Sequence, residues 1–281
     1  MEQKNISSLF RRFPNALDFV VMAMWVFIAQ MLTVYLCTQC GLEFPDLALA
    51  NSADDQVSLW TQLAAAQSLA VIYPIAMAIS LAGILLYRHV RGGISKIASF
   101  SSAGFDPSRL LGLFILILAV QVVIEPLTML MPEVPDMVGR GFFTLLVSVV
   151  FAPIFEEFIC RGVILESFRE KYGIWAGWIC SSLFFGVIHG QVTAMFNASI
   201  IGLILGYAYI RSNSIFSAII LHALNNGLAL ALISFGLGDS TFRDIIPSTE
   251  MYWAVWGIAL LITLTGSAIM VRNIHRCNKA R

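Results

Sequence analysis

The sequence predicts an all-α fold: a polytopic transmembrane helix bundle of about eight spanning helices, with both termini cytoplasmic. Three observations carry this expectation. Hydrophobic residues make up 58% of the 281-residue chain and charged residues only 12%, and the mean hydropathy of +0.82 is far above that of a soluble globular chain. Apolar runs of the roughly 20 residues needed to cross a bilayer recur from end to end. Lysine and arginine crowd every second connection, although 17 basic and 17 acidic residues cancel overall.

The spans are expected at about 16–38, 60–87, 110–131, 142–168, 174–190, 195–211, 214–234 and 252–272, with the shorter ones forming a compact core. The first run exceeds the 7–15-residue core of a signal peptide, and the cleavage-like Ala48-Leu49-Ala50 lies too far downstream, so an uncleaved helix is expected. The loop after it has no Lys or Arg and carries Glu43, Asp46, Asp54 and Asp55. The third span contains Glu125-Pro126, read as a structural or gating element nearer the outer side. Between the second and third spans, RGGISKIASFSSAGFDPSR (91–109) is either an ordinary connector or an amphipathic turn on the membrane surface. Small residues in Gly186-x-x-x-Gly190 and Ala198-x-x-x-Gly202-x-x-x-Gly206 are expected to let helices approach closely.

Orientation follows from the basic connections. Lys4, Arg11 and Arg12 precede the first span; Arg88, Arg91, Lys96 and Arg109 border the third segment; Arg169 and Lys171, Arg211, and the tail Arg272, Arg276, Lys279 and Arg281 follow. The intervening loops hold only Arg140 and Arg243. This places a multi-pass protein in the cytoplasmic (inner) membrane. Three units are expected: residues 1–141 with the first spans and a cytoplasmic loop, 142–234 as a core, and 235–281 with an outer loop, last span and basic tail.

Several function classes lack their marks. No zinc-finger spacing, phosphate-binding glycine loop or basic nucleic-acid stripe is present, so no nucleic-acid partner is expected. Cys37-x-x-Cys40 has redox spacing without the βαβ context that gives it meaning. No internal repeat favours a transporter of inverted halves.

Three polar intrusions remain. FAPIFEEFICRG (151–162) places Glu156, Glu157 and Arg161 in the fourth span, where each ionisable group costs at least about 2.5–3.5 kcal/mol. Glu157 and Arg161, spaced i,i+4, can pair and leave Glu156 free. His189 follows Phe185 by one turn, and His222 and Asn226 share a helix face. Counted at about 1.5 Å per residue from the basic ends, the four groups fall in one layer, roughly 12–22 Å deep. A buried ion and hydrogen-bond network that only locks helices together is the structural alternative. A carboxylate and an imidazole can also activate a water, while a second imidazole and an amide stabilise an oxyanion. That chemistry suffices for peptide-bond hydrolysis.

Glu156-Glu157-Phe-Ile-Cys-Arg161, Phe185-Gly-Val-Ile-His189 and His222-Ala-Leu-Asn-Asn226 resemble the EExxxR, FxxxH and HxxxN/D motifs of the CAAX-protease and bacteriocin-processing (Abi) family. The resemblance spans about residues 142–234. It implies a glutamic-type intramembrane endopeptidase in which Glu156 and His189 activate water, His222 and Asn226 stabilise the oxyanion, and Glu157 and Arg161 support the site. It also implies a membrane-associated or lipidated protein or peptide substrate, and no cofactor is expected. Two rivals stay open. One is a zinc peptidase with Glu156, His189 and His222 as ligands, although no His-Glu-x-x-His helix is present; the other is a non-catalytic scaffold or immunity protein. The cavity is expected to open to the cytoplasm or sideways between helices, and the oligomeric state is not readable.

Overall fold

Every one of the eight apolar runs is helical in the computed structural model, which describes residues 13–42, 45, 55–93, 96–102, 104–132, 141–237 and 240–279. Lys4, Arg11, Arg12, Glu43, Asp46, Asp54, Arg140, Arg281 and the Ala48-Leu49-Ala50 stretch lie outside the described residues. The helices are α1 (Ala16–Gln39), α2 (Asp55–Val90), α3 (Pro107–Thr128), α4 (Phe142–Tyr172), α5 (Ile174–Val187), α6 (Val192–Ser212), α7 (Ile215–Ser234), the short α8 (Phe242–Ile245) and α9 (Thr249–Lys279). Seven are long and apolar enough to cross a membrane. The exception among the eight runs is α5: its 14 residues reach only about 21 Å, short of a ~30 Å hydrocarbon core. It is a buried strut rather than a full span. Among the described residues there is no strand, only an isolated bridge between Phe100 and Ser214.

Local chemistry sets the helix ends. Asn15 and Asp18 form a reciprocal capping box at α1, with bonds of 2.9 and 2.8 Å. Asp106 caps α3 ahead of Pro107 at its first turn, so that helix begins before the apolar run does. The Ser108 hydroxyl and the Arg109 amide hold the Asp106 carboxyl below its ordinary range.

Small residues bring α5 against α6 as the sequence leads one to expect. A Cβ on Gly186 would sit 1.9 Å from Ser199 Oγ, one on Gly202 3.1 Å from Ser182 Cα, and one on Gly206 3.0 Å from Trp178 Cδ1. Trp178 Nε1 donates across the same seam to Leu203 O at 2.7 Å.

Contacts gather the basic connections at one end. Lys171 Nζ donates to Pro14 O at 2.7 Å, Arg91 pairs with Asp18 at 2.9 Å, and Gly173 lies beside Asn278. The first and last helices therefore begin and end together, the geometry that alternating basic loops require.

The α2–α3 connector departs from both expected forms. Ala98, buried and at φ 60, donates its amide to Gly162 O of α4 at 3.1 Å, and Ser99 O accepts from Ile215 N at 2.9 Å. Phe100 packs on Phe158 and Phe216, with ring centroids 5.5 and 6.2 Å away. The segment is a strap threaded between α4 and the α6–α7 turn. One hydrophobic core runs through Met22, Met77, Ile117, Ile159, Leu205, Leu221 and Ile274, joining helices from all three expected units.

Candidate active site

The carboxylates stand on the only purely α-helical turns in the middle of α4. A π-helical stretch, Leu146–Phe151, precedes Ala152–Glu157, and a second, Phe158–Leu165, follows it. Such widened turns are rare and concentrate at functional positions. Proline chemistry explains what the first one does. Ala152 N–H bonds Val147 O, five residues back, so the next rung would run from residue 153 to Ser148 O. Pro153 has no N–H to give. Asn226 Nδ2 donates to Ser148 O instead, at 2.9 Å, which fixes α7 against α4.

Behind the carboxylates lies a fully buried anchor. Arg161 Nη1 donates to Glu157 Oε1 at 2.9 Å, with neither side chain exposed, as the i,i+4 spacing predicts. Arg161 Nη2 reaches Gly202 O at 2.8 Å, and its guanidinium lies 4.8 Å from the Phe185 ring centroid. Gly202 has no Cβ to press on Ser182 and Phe185, so α6 lies close on α5 at this level. Breaking such a buried, hydrogen-bonded pair costs about 3–5 kcal/mol.

His222 joins the anchor to the cavity. Its Nδ1 bonds Glu157 Oε1 at 3.0 Å, and its Nε2 lies 3.8 Å from Glu156 Oε2. Since a carboxylate only accepts, Nδ1 carries the proton of that bond. Glu156 Oε1 accepts from Tyr73 Oη at 2.6 Å, while its buried Oε2 makes no hydrogen bond. Two α7 amides complete this wall: Asn225 Nδ2 donates to Asn226 Oδ1 at 3.2 Å, and Gln121 Nε2 of α3 donates to Asn225 Oδ1 at 3.0 Å.

His189 is the exposed member. The expected helix to 190 stops at Val187, where Gly190 at φ 75 turns the chain, so His189 sits on the α5–α6 turn. Its Nδ1 donates to Phe185 O at 2.7 Å, which leaves Nε2 with a lone pair in the neutral ring. This turn lies at the far end of α5 from Gly173, so the exposed part of the cavity is remote from the basic end.

Glu156, His189, His222 and Asn226 line one cavity of about 210 Å³, with Phe185 and Asn197 among its other walls. All four predicted groups are thus brought together, and the two supporting ones stand directly behind them. Among the described residues no three His, Cys, Asp or Glu side chains form a group that could hold a metal ion. Cys37 and Cys40 are free thiols, and Glu125 bonds the Phe242 amide and Tyr252 Oη of the outer region. Sequence reasoning missed Tyr73, Gln121 and Ser148. The available signals were a hydroxyl before Pro74 and a lone amide in α3, each an isolated polar group within an apolar span.

Comparison with known proteins bears on this segment. Residues 139–228 match the family described as Type II CAAX prenyl endopeptidase Rce1-like. Over 119 residues the chain is 33% identical to an Escherichia coli protein titled "Uncharacterized 24.3 kDa protein", covering 40% of this chain and 53% of that one. Over 91 residues it is 28% identical to the Bacillus subtilis (strain 168) protein titled "Putative membrane peptidase YdiL", covering 32% and 37%. The chain therefore spans about half the length of the first relative and less of the second. No solved structure matches it. Glu156, Glu157, Arg161, His189, His222 and Asn226 all fall within residues 139–228, the stretch in which this chain is similar to the Rce1-like CAAX prenyl endopeptidase family.

Proposed function

We propose that this chain is an intramembrane endopeptidase that hydrolyses a peptide bond of a membrane-associated or lipidated protein or peptide. The observation that carries the reading is the single cavity onto which Glu156, His189, His222 and Asn226 converge, inside the Rce1-like segment. The protein acts in the cytoplasmic membrane, with residues 142–234 as its catalytic unit.

Glu156 and His189 hold the attacking water. The lone pair on His189 Nε2 accepts one hydrogen, and Glu156 Oε2, left open when Tyr73 takes Oε1, accepts the proton as the oxygen attacks the carbonyl carbon. The carbonyl oxygen becomes an oxyanion. Asn226 stabilises it with the amide hydrogen not given to Ser148 O, and His222 with a proton on Nε2. In this step His222 enters as the imidazolium, protonated at both ring nitrogens, keeps both protons throughout, and has its charge supported by Glu157 beside Nδ1. As the C–N bond breaks, Glu156 returns its proton to the leaving amine. Water and amide are consumed; acid and amine are formed. No covalent intermediate and no cofactor enter this sequence.

The test reconstitutes wild type and Glu156→Gln in liposomes with a quenched-peptide or membrane-proteome library, with and without a strong chelator. Cleavage that survives chelation and falls at least about a hundredfold in the variant supports the reading. Loss on chelation, restored by zinc, assigns Glu156, His189 and His222 to a metal instead. Equal cellular function of wild type and Glu156→Gln, with no cleavage by either, makes the chain a scaffold.

A further inference from the structure

A second cavity, about 550 Å³, lies between α3, α6 and α9 and shares no lining residue with the candidate active site. Its two ends differ in chemistry. At the basic end it is bordered by Arg109 in the first turn of α3 and Arg211 in the last turn of α6. Tyr207 and Asn273 stand beside them, bonded to each other at 2.7 Å. Deeper in, the walls are Leu113, Leu116, Ile262 and Ile269. From Asn273 to Ile262 the cavity follows α9 for about 16 Å, close to half of the ~30 Å hydrocarbon core.

The arginines are not spent on each other's helices. Arg109 pairs with Asp106 at 3.3 Å, but both side chains are more than a third exposed, a setting in which a pair contributes little. Arg211 is exposed and has no carboxylate partner among the described residues. Between the helices, a Cβ on Gly112 would meet no atom within 4 Å, so the apolar part of the cavity is open where that glycine faces it. Two cations at headgroup level above a one-leaflet apolar groove match an amphiphile with an anionic head.

We propose that this groove binds one anionic phospholipid of the leaflet at the basic end, its phosphate between Arg109 and Arg211 and an acyl chain running past Gly112 toward Ile262. The site stands independently of the proposed peptidase activity. Lipid of this class ties α9, which is otherwise little buried along its length, to α3 and α6.

Native mass spectrometry of the full chain, with phosphatidylglycerol, phosphatidylcholine, inorganic phosphate and farnesol as competing probes, tests it. Phosphatidylglycerol is retained more tightly than phosphatidylcholine, and Arg109→Gln and Arg211→Gln each weaken it about fivefold. Gly112→Leu, whose Cβ meets no atom within 4 Å, weakens it as well by filling the groove, without lowering the melting temperature in detergent. Equal retention of the two lipids, or no loss in the Arg109→Gln/Arg211→Gln double variant, overturns the headgroup assignment. Inorganic phosphate competing as well as the lipid, with Gly112→Leu silent, makes this a phosphate pocket and overturns the proposal; so does farnesol displacing phosphatidylglycerol at equal concentration, which makes it an isoprenoid groove.

Discussion

Tyr73 is the residue that most changes how the site is understood. A carboxylate with both oxygens free can rotate, whereas Glu156, held through Oε1 at 2.6 Å, presents Oε2 in a fixed direction. Removing that hydroxyl leaves every other group in place. Tyr73→Phe is expected to lower kcat about tenfold, equivalent to about 1.4 kcal/mol, with KM unchanged, in steady-state cleavage assays; a rise in KM alone would make Tyr73 a packing residue. Arg161 belongs to the stability of the site. Arg161→Ala leaves Glu157 charged and fully buried, so a loss of about 3–5 kcal/mol is expected, measured by equilibrium unfolding in detergent. The Glu157–Arg161 pair was readable because its partners share one helix and one spacing. Tyr73 was not, because its partner lies 83 residues away and nothing periodic links them.

At the scale of elements, α4 is the device that aims the groups proposed to be catalytic. Its two π-helical stretches bracket Glu156 and Glu157, and in each a backbone carbonyl serves an outside donor: Ser148 O for Asn226 and Gly162 O for Ala98. Pro153→Ala returns an N–H that competes for Ser148 O. The expected outcome is a protein at least as stable as wild type in thermal unfolding, with cleavage about tenfold slower because Asn226 is less firmly held. None of this was legible. A π turn depends on which distant donors reach the widened ladder, and the strap over 96–102 is rich in serine, which reads as a connector when its burial is unknown. The eight long helices were legible, since apolar runs declare themselves, whereas the short, capped α8 was not; the end of α5 was set instead by Gly190.

At the scale of the molecule, the site draws on α2, α3, α4, the α5–α6 turn and α7: the groups proposed to react lie within 142–234, and their supports extend beyond it. Tyr73 comes from α2 and Gln121 from α3, and the core is continuous from α1 to α9. The charge pattern led one to expect the start of α1 and the end of α9 near one another, and both lie beside the α4–α5 turn, at Lys171 and Gly173. The sequence also placed Glu156, His189, His222 and Asn226 at one depth, because helical rise converts residue number into distance. Their lateral convergence needed the fold. In the proposed reaction Glu156 and His189, on α4 and the α5–α6 turn, act on the same water. The direct measurement is the single-turnover cleavage rate of reconstituted wild type, Glu156→Gln, His189→Ala and the double variant. Groups that act as one unit are strongly non-additive, so the double variant is expected to be no slower than the slower single one. Rate losses that multiply would contradict it and give the two residues separate tasks.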